Sequence, residues 1–428
     1  MFRKELTVCI VFLLLGTGVV SGFNTISINN SQPLNRGNWL YVGGSGEGNY
    51  SEIQNAIDNA SDGDTIFVYN GIYPAEIVIN KSIILLGEDK DMTIIQGGRD
   101  GFLIEVDSVT IKNFTITQCG QFWNRCAILV TTNDNIINNN RIINNYKLNC
   151  IKIDHSNNNL ISNNTISDNI YFGIRLEYAN NNVIINNYVN NNKAYGMTIS
   201  AESSNNIFIS NTVSSNLWSG ISVGQDCKDN LFYHNNFINN GAYPFDSGIN
   251  IWNDSYPSGG NYWTEYNGND SFHGINQDIP GSDGIGDTPY LITGGDNKDW
   301  YPLMKPYGFP NTPIISGPTS GKRGISIKYV FNASDPNGYQ VKYIIDWGDG
   351  KTNITNFYHS GIDAIVNHTW YKKGTFNIKA KVENTNGFVS PEAAFEVIIP
   401  RNKALFNIQL ILFWLLKQFP ILNNLIRL

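Results

Sequence analysis

The chain has 428 residues, of which 15% are charged, and a formal net charge of −7. A weakly acidic chain this poor in Lys and Arg excludes nucleic acid as its natural partner. Its length allows two or three domains with ample cores, and 22 Tyr, 22 Phe and 9 Trp suit sugar faces as well as interiors.

Residues 1–22 read as an export signal. Arg3 and Lys4 open it, residues 6–20 are its apolar stretch, and Val20-Ser21-Gly22 is a small-residue exit. The protein is therefore expected outside the cytoplasm, at the cell surface, with the signal cleaved after Gly22 or kept as an anchor. Residues 51–60 predict a covering helix. Ser51-Glu52-Ile53-Gln54 has the form of a capping box, and Ile53, Ala56, Ile57 and Ala60 share one face. Strands start at Thr65-Ile66-Phe67-Val68 and continue through 76–79, 82–86 and 93–95.

A phrase of about 23 residues then recurs. Its copies open at Ala127-Ile128, Cys150-Ile151, Gly173-Ile174, Gly196-Met197 and Gly220-Ile221. Each runs through an Asn-rich turn to a second phrase, as at Asn163-Asn164-Thr165-Ile166. A short fixed period marks a solenoid. Apolar residues alternate with polar ones, Ile151 and Ile153 against Lys152 and Asp154, so the repeats are strands. Propeller blades need about 40 residues per repeat, and the Leu frame of leucine-rich repeats is missing. The fold class is all-β: a right-handed parallel β-helix, the hand following from crossover chirality. Stacked Asn side chains are expected to bond in ladders along the axis.

Cys119, Cys126, Cys150 and Cys227 remain beyond the signal. In an exported protein Cys119–Cys126 closes a small loop, Cys126–Cys150 competes with it, and buried free thiols are the third outcome. After residue 250 the period dissolves into an exit cap reaching residue 308. There Asp278, Asp283 and Asp287 surround Gly-rich turns; they are either ordinary turn residues or oxygen ligands for calcium.

The repeat also stacks charges: Lys152 beside Arg175, and Asp154 beside Glu177. Paired carboxylates near Arg suit glycan hydrolases, lyases or epimerases, whereas a solvated sheet face carries such charges with no activity. The strip does not continue, since the next coils offer Thr198, Ser200 and Ser222.

Gly63-Asp64-Thr65, the Asn-rich coils, Gly260-Asn261-Tyr262-Trp263 and Asp283-Gly284-Ile285-Gly286-Asp287-Thr288-Pro289-Tyr290 together resemble the NosD-type branch of the carbohydrate-binding and sugar-hydrolase β-helices, over residues 39–308. The resemblance implies copper delivery for some members and surface roles in archaea for many others. Copper suits this chain poorly, because its Met and His residues are dispersed; His155 beside Asp154, one coil from Glu177, is the one constellation worth naming.

Residues 311–399 form a second domain behind a Pro-rich junction. Asp335-Pro336-Asn337-Gly338, Trp347-Gly348-Asp349-Gly350 and His368-Thr369-Trp370 are similar to a PKD domain, which implies a small extracellular Ig-like β-sandwich. Residues 400–428 carry Leu410-Ile411-Leu412-Phe413-Trp414-Leu415-Leu416, interrupted by Lys417 and Pro420. That run is too short to span a bilayer and suits a hydrophobic helix at the membrane surface. The expected function is non-catalytic binding of a surface glycan or envelope protein. A polysaccharide-active enzyme and a copper-delivery accessory protein are the alternatives.

Overall fold

The computed structural model describes residues 37–120, 125–146, 149–335, 339–385, 387–400 and 417–418. The expected signal (1–22) and nearly all of the expected tail (400–428) lie outside them. The chain divides between Tyr307 and Gly308 into two compact units.

The first unit is a parallel β-solenoid. Each coil gives one short strand to each of three parallel sheets, here called A, B and C, of ten, nine and eight strands. One coil runs Ile136–Asn138 in sheet A, Arg141–Ile143 in sheet B and Asn149–Asp154 in sheet C. The next coil pairs in register with it: Ile136 with Leu160, Arg141 with Thr165, Ile151 with Ile174. Alternation does the sorting. Ile137, Ile142, Ile151 and Ile153 face inward and are fully buried, and their repeats build one continuous core along the axis.

The Asn residues turn and bond at once. Asn139, Asn163 and Asn186 take left-handed φ values of 53°, 56° and 55° at the bend between sheets A and B, a conformation Asn tolerates better than most residues. The Asn that follows each of them points inward and is buried. Asn164 donates its backbone N–H and one side-chain N–H to Asn187 Oδ1, both at 3.0 Å, and its amide also reaches Ile137 O at 2.8 Å. It accepts the matching pair from Asn140 at 2.9 and 3.2 Å. Three such ladders run up the coils, from Asn135 to Asn250, from Asn140 to Asn261 and from Asn145 to Asn240. They satisfy buried polar groups at every bend, which a solenoid needs because water cannot reach them.

Both ends are sealed. Helix α1 (Ile53–Asn59) covers the first coil with Ile53, Ala56 and Ile57. The expected capping box does not form: Glu52 is the N-cap and makes no side-chain cap bond. Gln54 is drawn instead to the unpaired edge of sheet C, where its amide accepts from Val78 N–H (2.9 Å) and donates to Val78 O (3.2 Å). An edge strand with open backbone groups outcompetes a helix terminus for this side chain.

At the exit, ring stacks extend the core: Phe208, Phe232 and Trp252 at 4.8 and 4.0 Å, and Phe237, Trp263 and Tyr290 at 4.5 and 4.6 Å. Buried carboxylates meet two of the three ladders at their ends. Asp299 Oδ2 accepts from Asn261 N–H (2.7 Å) and Trp263 Nε1–H (2.9 Å). Asp246 accepts from Asn250 Nδ2 (3.0 Å) and Trp252 Nε1–H (2.8 Å). Burial pushes the Asp299 carboxyl up to about 7, against the pull of its Trp263, Asn261 and Tyr301 donors. Burial raises Asp246 as well.

Neither expected disulfide is present; Cys119, Cys126, Cys150 and Cys227 are free and buried. Each fills a repeat position of its own. Cys119 stands in the third ladder, its N–H bonded to Asn145 Oδ1 (3.0 Å). Cys126 is in register with Asn149, not with Cys150. Cys150 holds the small-residue corner that Gly173 takes one coil on, where a Cβ would come within 2.5 Å of Gly196 O.

The second unit is an antiparallel sandwich of a three-stranded and a four-stranded sheet. Trp347, Trp370, Tyr329, Tyr343 and Phe331 fill its core. Gly348 and Gly350, at φ 73° and 89°, form the turn that follows Trp347. His368 stacks on Trp347 at 4.5 Å and bonds Asp349 Oδ2 at 2.9 Å. No helix among the described residues is long and apolar enough to cross a membrane.

Candidate functional site

The outward side of sheet C carries the charged cluster. Adjacent strands (Asn149–Asp154 and Ile174–Glu177) place Lys152 against Arg175 and Asp154 against Glu177. Lys152 Nζ donates to Asp154 Oδ2 (2.8 Å) and Glu177 Oε2 (2.6 Å), and Arg175 pairs with the other oxygen of Glu177. His155 Nδ1 bonds Asp154 Oδ1 at 2.9 Å while its ring stacks on Tyr178 at 4.4 Å. Each carboxylate is thus held by a cation. Burial alone would raise Asp154, but its bonds to Lys152 and His155 outweigh that and hold the carboxyl below its ordinary value. Burial likewise opposes Lys152, and its bonds to Asp154 and Glu177 carry it above the usual lysine value. Thr198, next in register after Arg175, keeps its hydroxyl without a partner among the described residues.

A row of rings borders this cluster. Phe172 packs with Tyr171 (4.1 Å) and with Tyr195 on the next coil (5.5 Å), and Tyr195 meets Trp218 on the coil after that (5.1 Å). The Arg175 guanidinium lies 5.5 Å from the Phe172 ring and joins the row to the ion pairs. Trp218 is 45% exposed. Sequence reasoning passed over these rings, although a signal was there. Phe172 and Tyr195 stand directly before the Gly that opens a repeat, and Trp218 stands two residues before one.

The residues considered for calcium are not gathered. Asp283 Oδ1 accepts the N–H of Ile285, and Asp287 accepts the N–H groups of Ser271 and Phe272. Both serve as turn braces, and among the described residues no group of three or more His, Cys, Asp or Glu side chains is arranged to hold a metal ion. Copper fits no better. His155 is engaged by Asp154, and His368 by Asp349. Buried His234 bonds Ser258 O (2.8 Å) and stacks on Tyr307. None of these three lies with a second soft ligand.

Residues 57–268 match the family described as "Periplasmic copper-binding protein (NosD)", and residues 322–397 match the PKD domain. Among solved structures, the PKD domain of an M14-like peptidase from Thermoplasmatales archaeon SCGC AB-540-F20 is 41% identical. That match covers 22% of this chain and 96% of that one, with a TM-score of 0.21. Pectate lyase Pel9A is 16% identical over 56% of this chain and 61% of its own, with a TM-score of 0.32. The catalytic domain of a GH87 alpha-1,3-glucanase is 17% identical over 61% of this chain and 51% of its own, also at 0.32. No curated protein matches the chain. The chain thus joins a NosD-type β-helix domain, residues 57–268, to a PKD domain, residues 322–397.

Proposed function

We propose that this is an exported surface protein whose solenoid holds an extended glycan along the outward side of sheet C without cleaving it. The PKD domain serves as spacer or contact module, and residues 400–428 retain the protein at the membrane surface. One observation carries the reading: Tyr195 and Trp218, open to solvent on successive coils and backed by buried Phe172, flank polar groups that are already paired with one another. A sugar presents apolar faces rimmed by hydroxyls, and a ring row beside charged hydrogen-bonding groups complements both. Coils about 4.8 Å apart bring such rings close to the repeat of a pyranose chain.

The ion pairs favour binding over cleavage. Protonating a leaving oxygen requires a carboxyl held above its ordinary pKa, and Asp154 is held below it. One feature favours the enzyme reading: the Asp154–His155 pair leaves His155 68% exposed, a geometry open to a general base.

The test is titration of the full chain with neutral and acidic oligosaccharides. Binding is expected, with Trp218→Ala and Tyr195→Ala each weakening it about tenfold or more. Absence of binding, or binding indifferent to both substitutions, would overturn the proposal. New reducing ends or unsaturated uronates in the same incubations would move the protein to the enzyme reading. Export is checked by the N-terminus of the protein recovered from the cell surface, expected at residue 23.

A further inference from the structure

Sheet surfaces that face water carry polar side chains, and the middle coils of two sheets obey. The outward row of sheet B runs Arg141, Thr165 and Tyr188, then Thr212 and Asn236, which are buried. That of sheet C holds Lys152, Arg175, Thr198 and Ser222 on four successive coils, between Leu129 and Phe245. Sheet A departs from the rule. On six consecutive coils its outward row reads Ile136, Leu160, Val183, Ile207, Leu231 and Ile251, each paired in register with the next. From Ile137 to Phe232, the residue after each of the first five lies in the core, which fixes the outward sense of the row. Ile136 and Ile251 are 38% and 52% exposed, and the four between are partly exposed.

Ile185 widens the strip, and Trp39, Tyr41 and Phe67 continue it at the first coils. Thr65, Thr110, Lys112, Asn138 and Ser162 are its polar interruptions. We propose that sheet A is the interface through which two copies of this chain pack face to face.

The size fits a second copy. Strands about 4.8 Å apart make a ten-stranded face roughly 45 Å long, and two outward rows with their flanks make it about 15 Å wide. The whole face is then on the order of 700 Å² per copy, near the ~800 Å² per partner of a stable interface, and its apolar six coils make up roughly 400 Å² of that. Charge points the same way. Neither outward row carries a charge between Ile136 and Ile251, so a charged partner finds nothing to match. A second copy brings the same straight row at the same spacing. Two-fold-related rows then interdigitate along their length, at the roughly 10 Å separation of packed β layers.

Sedimentation velocity of the full chain over micromolar concentrations tests the interface. A dimer is expected. Leu160→Glu with Ile207→Glu is expected to raise the dimer dissociation constant about a hundredfold or more, because each copy would have to bury charges. Thr165→Glu with Tyr188→Glu, at exposed or partly exposed positions of sheet B, should leave the dimer intact. Should the first pair impair folding, a bismaleimide of about 10 Å span is expected to cross-link two copies of Val183→Cys across the packed layers, while it does not cross-link Tyr188→Cys on sheet B. A wild-type monomer at all concentrations, a dimer that survives the sheet A charges, or equal cross-linking from Tyr188→Cys would each overturn the proposal. So would a monomer that floats with lipid vesicles through this face.

Discussion

The solenoid and the sandwich solve the burial of polar groups in opposite ways. In the solenoid, asparagines repeat every 23 or 24 residues and pass hydrogen bonds along the axis, as from Asn164 to Asn187 to Asn211. In the sandwich, buried polar groups form small separate sets: Asp349 holds His368 against Trp347, Asn384 donates to Asp335 (2.8 Å), and the core is otherwise aromatic and aliphatic. The first design is a chain of equal links whose strength depends on how it ends. The second is a single cluster that depends on its largest member.

The largest expected effect comes from breaking a ladder in the middle. Asn187→Leu leaves the N–H groups of Asn164 and the carbonyl of Ile161 without their partner. Each buried orphan costs roughly 1–3 kcal/mol. Two unfolding transitions are expected by calorimetry, and this substitution should lower the solenoid transition by about 10 °C while leaving the other in place. A fall in both would show that the units do not unfold separately.

Next comes the sandwich. Trp347→Ala should cost about 3–5 kcal/mol and move only the transition of residues 308–400. Loss of the solenoid transition instead would reverse the comparison.

A pH titration of thermal stability separates the two units further. The Asp299 carboxyl is raised to about 7, against about 3.9 in an unfolded chain. The folded state therefore binds more protons between those values, so the stability that Asp299 contributes is fully present below about pH 4 and is lost as pH rises to about 7. Asp246 shifts in the same direction. Asp299→Asn should flatten much of this slope, and an unchanged slope would remove Asp299 as its source.

The smallest effect is chemical. The thiols of Cys119 and Cys126 are raised by burial to about 12, so they should resist a thiol reagent at pH 8 until the solenoid melts. Prompt labelling of folded protein would show that coils opening near Cys126 exchange faster than the ladders imply.

Much of the solenoid was legible in the sequence. The strands of sheets B and C lie in the two repeated phrases, since alternating residues such as Ile151-Lys152-Ile153 reveal their facing. Beyond the first coils, where Thr65–Val68 and 82–86 read as strands, the strands of sheet A were not distinguished. Ile136-Ile137 and Ile207-Phe208-Ile209 are apolar on both sides, so alternation is silent there. Two other readings were decided by neighbours distant in sequence. Gln54 reads locally as part of a cap, yet it bonds Val78. Cys119 and Cys126 read as a loop closure, yet they sit in different repeat positions. The charge stack at Lys152 and Glu177 was visible because register follows directly from the period. That each carboxylate is already held by a cation was not.

By itself, the sequence determined the period, the strand character of each phrase and the positions of the inward asparagines. These follow from local alternation and equal spacing, which act between neighbouring coils. Tertiary structure alone decided how the stack ends. Asp299 lies 38 residues beyond Asn261 through an aperiodic segment, and it reaches the ladder only because the exit cap folds back on the last coil. It also decided which outward face stays apolar, because only the closed coil sets which residues of an all-apolar strand enter the core and which remain for a partner.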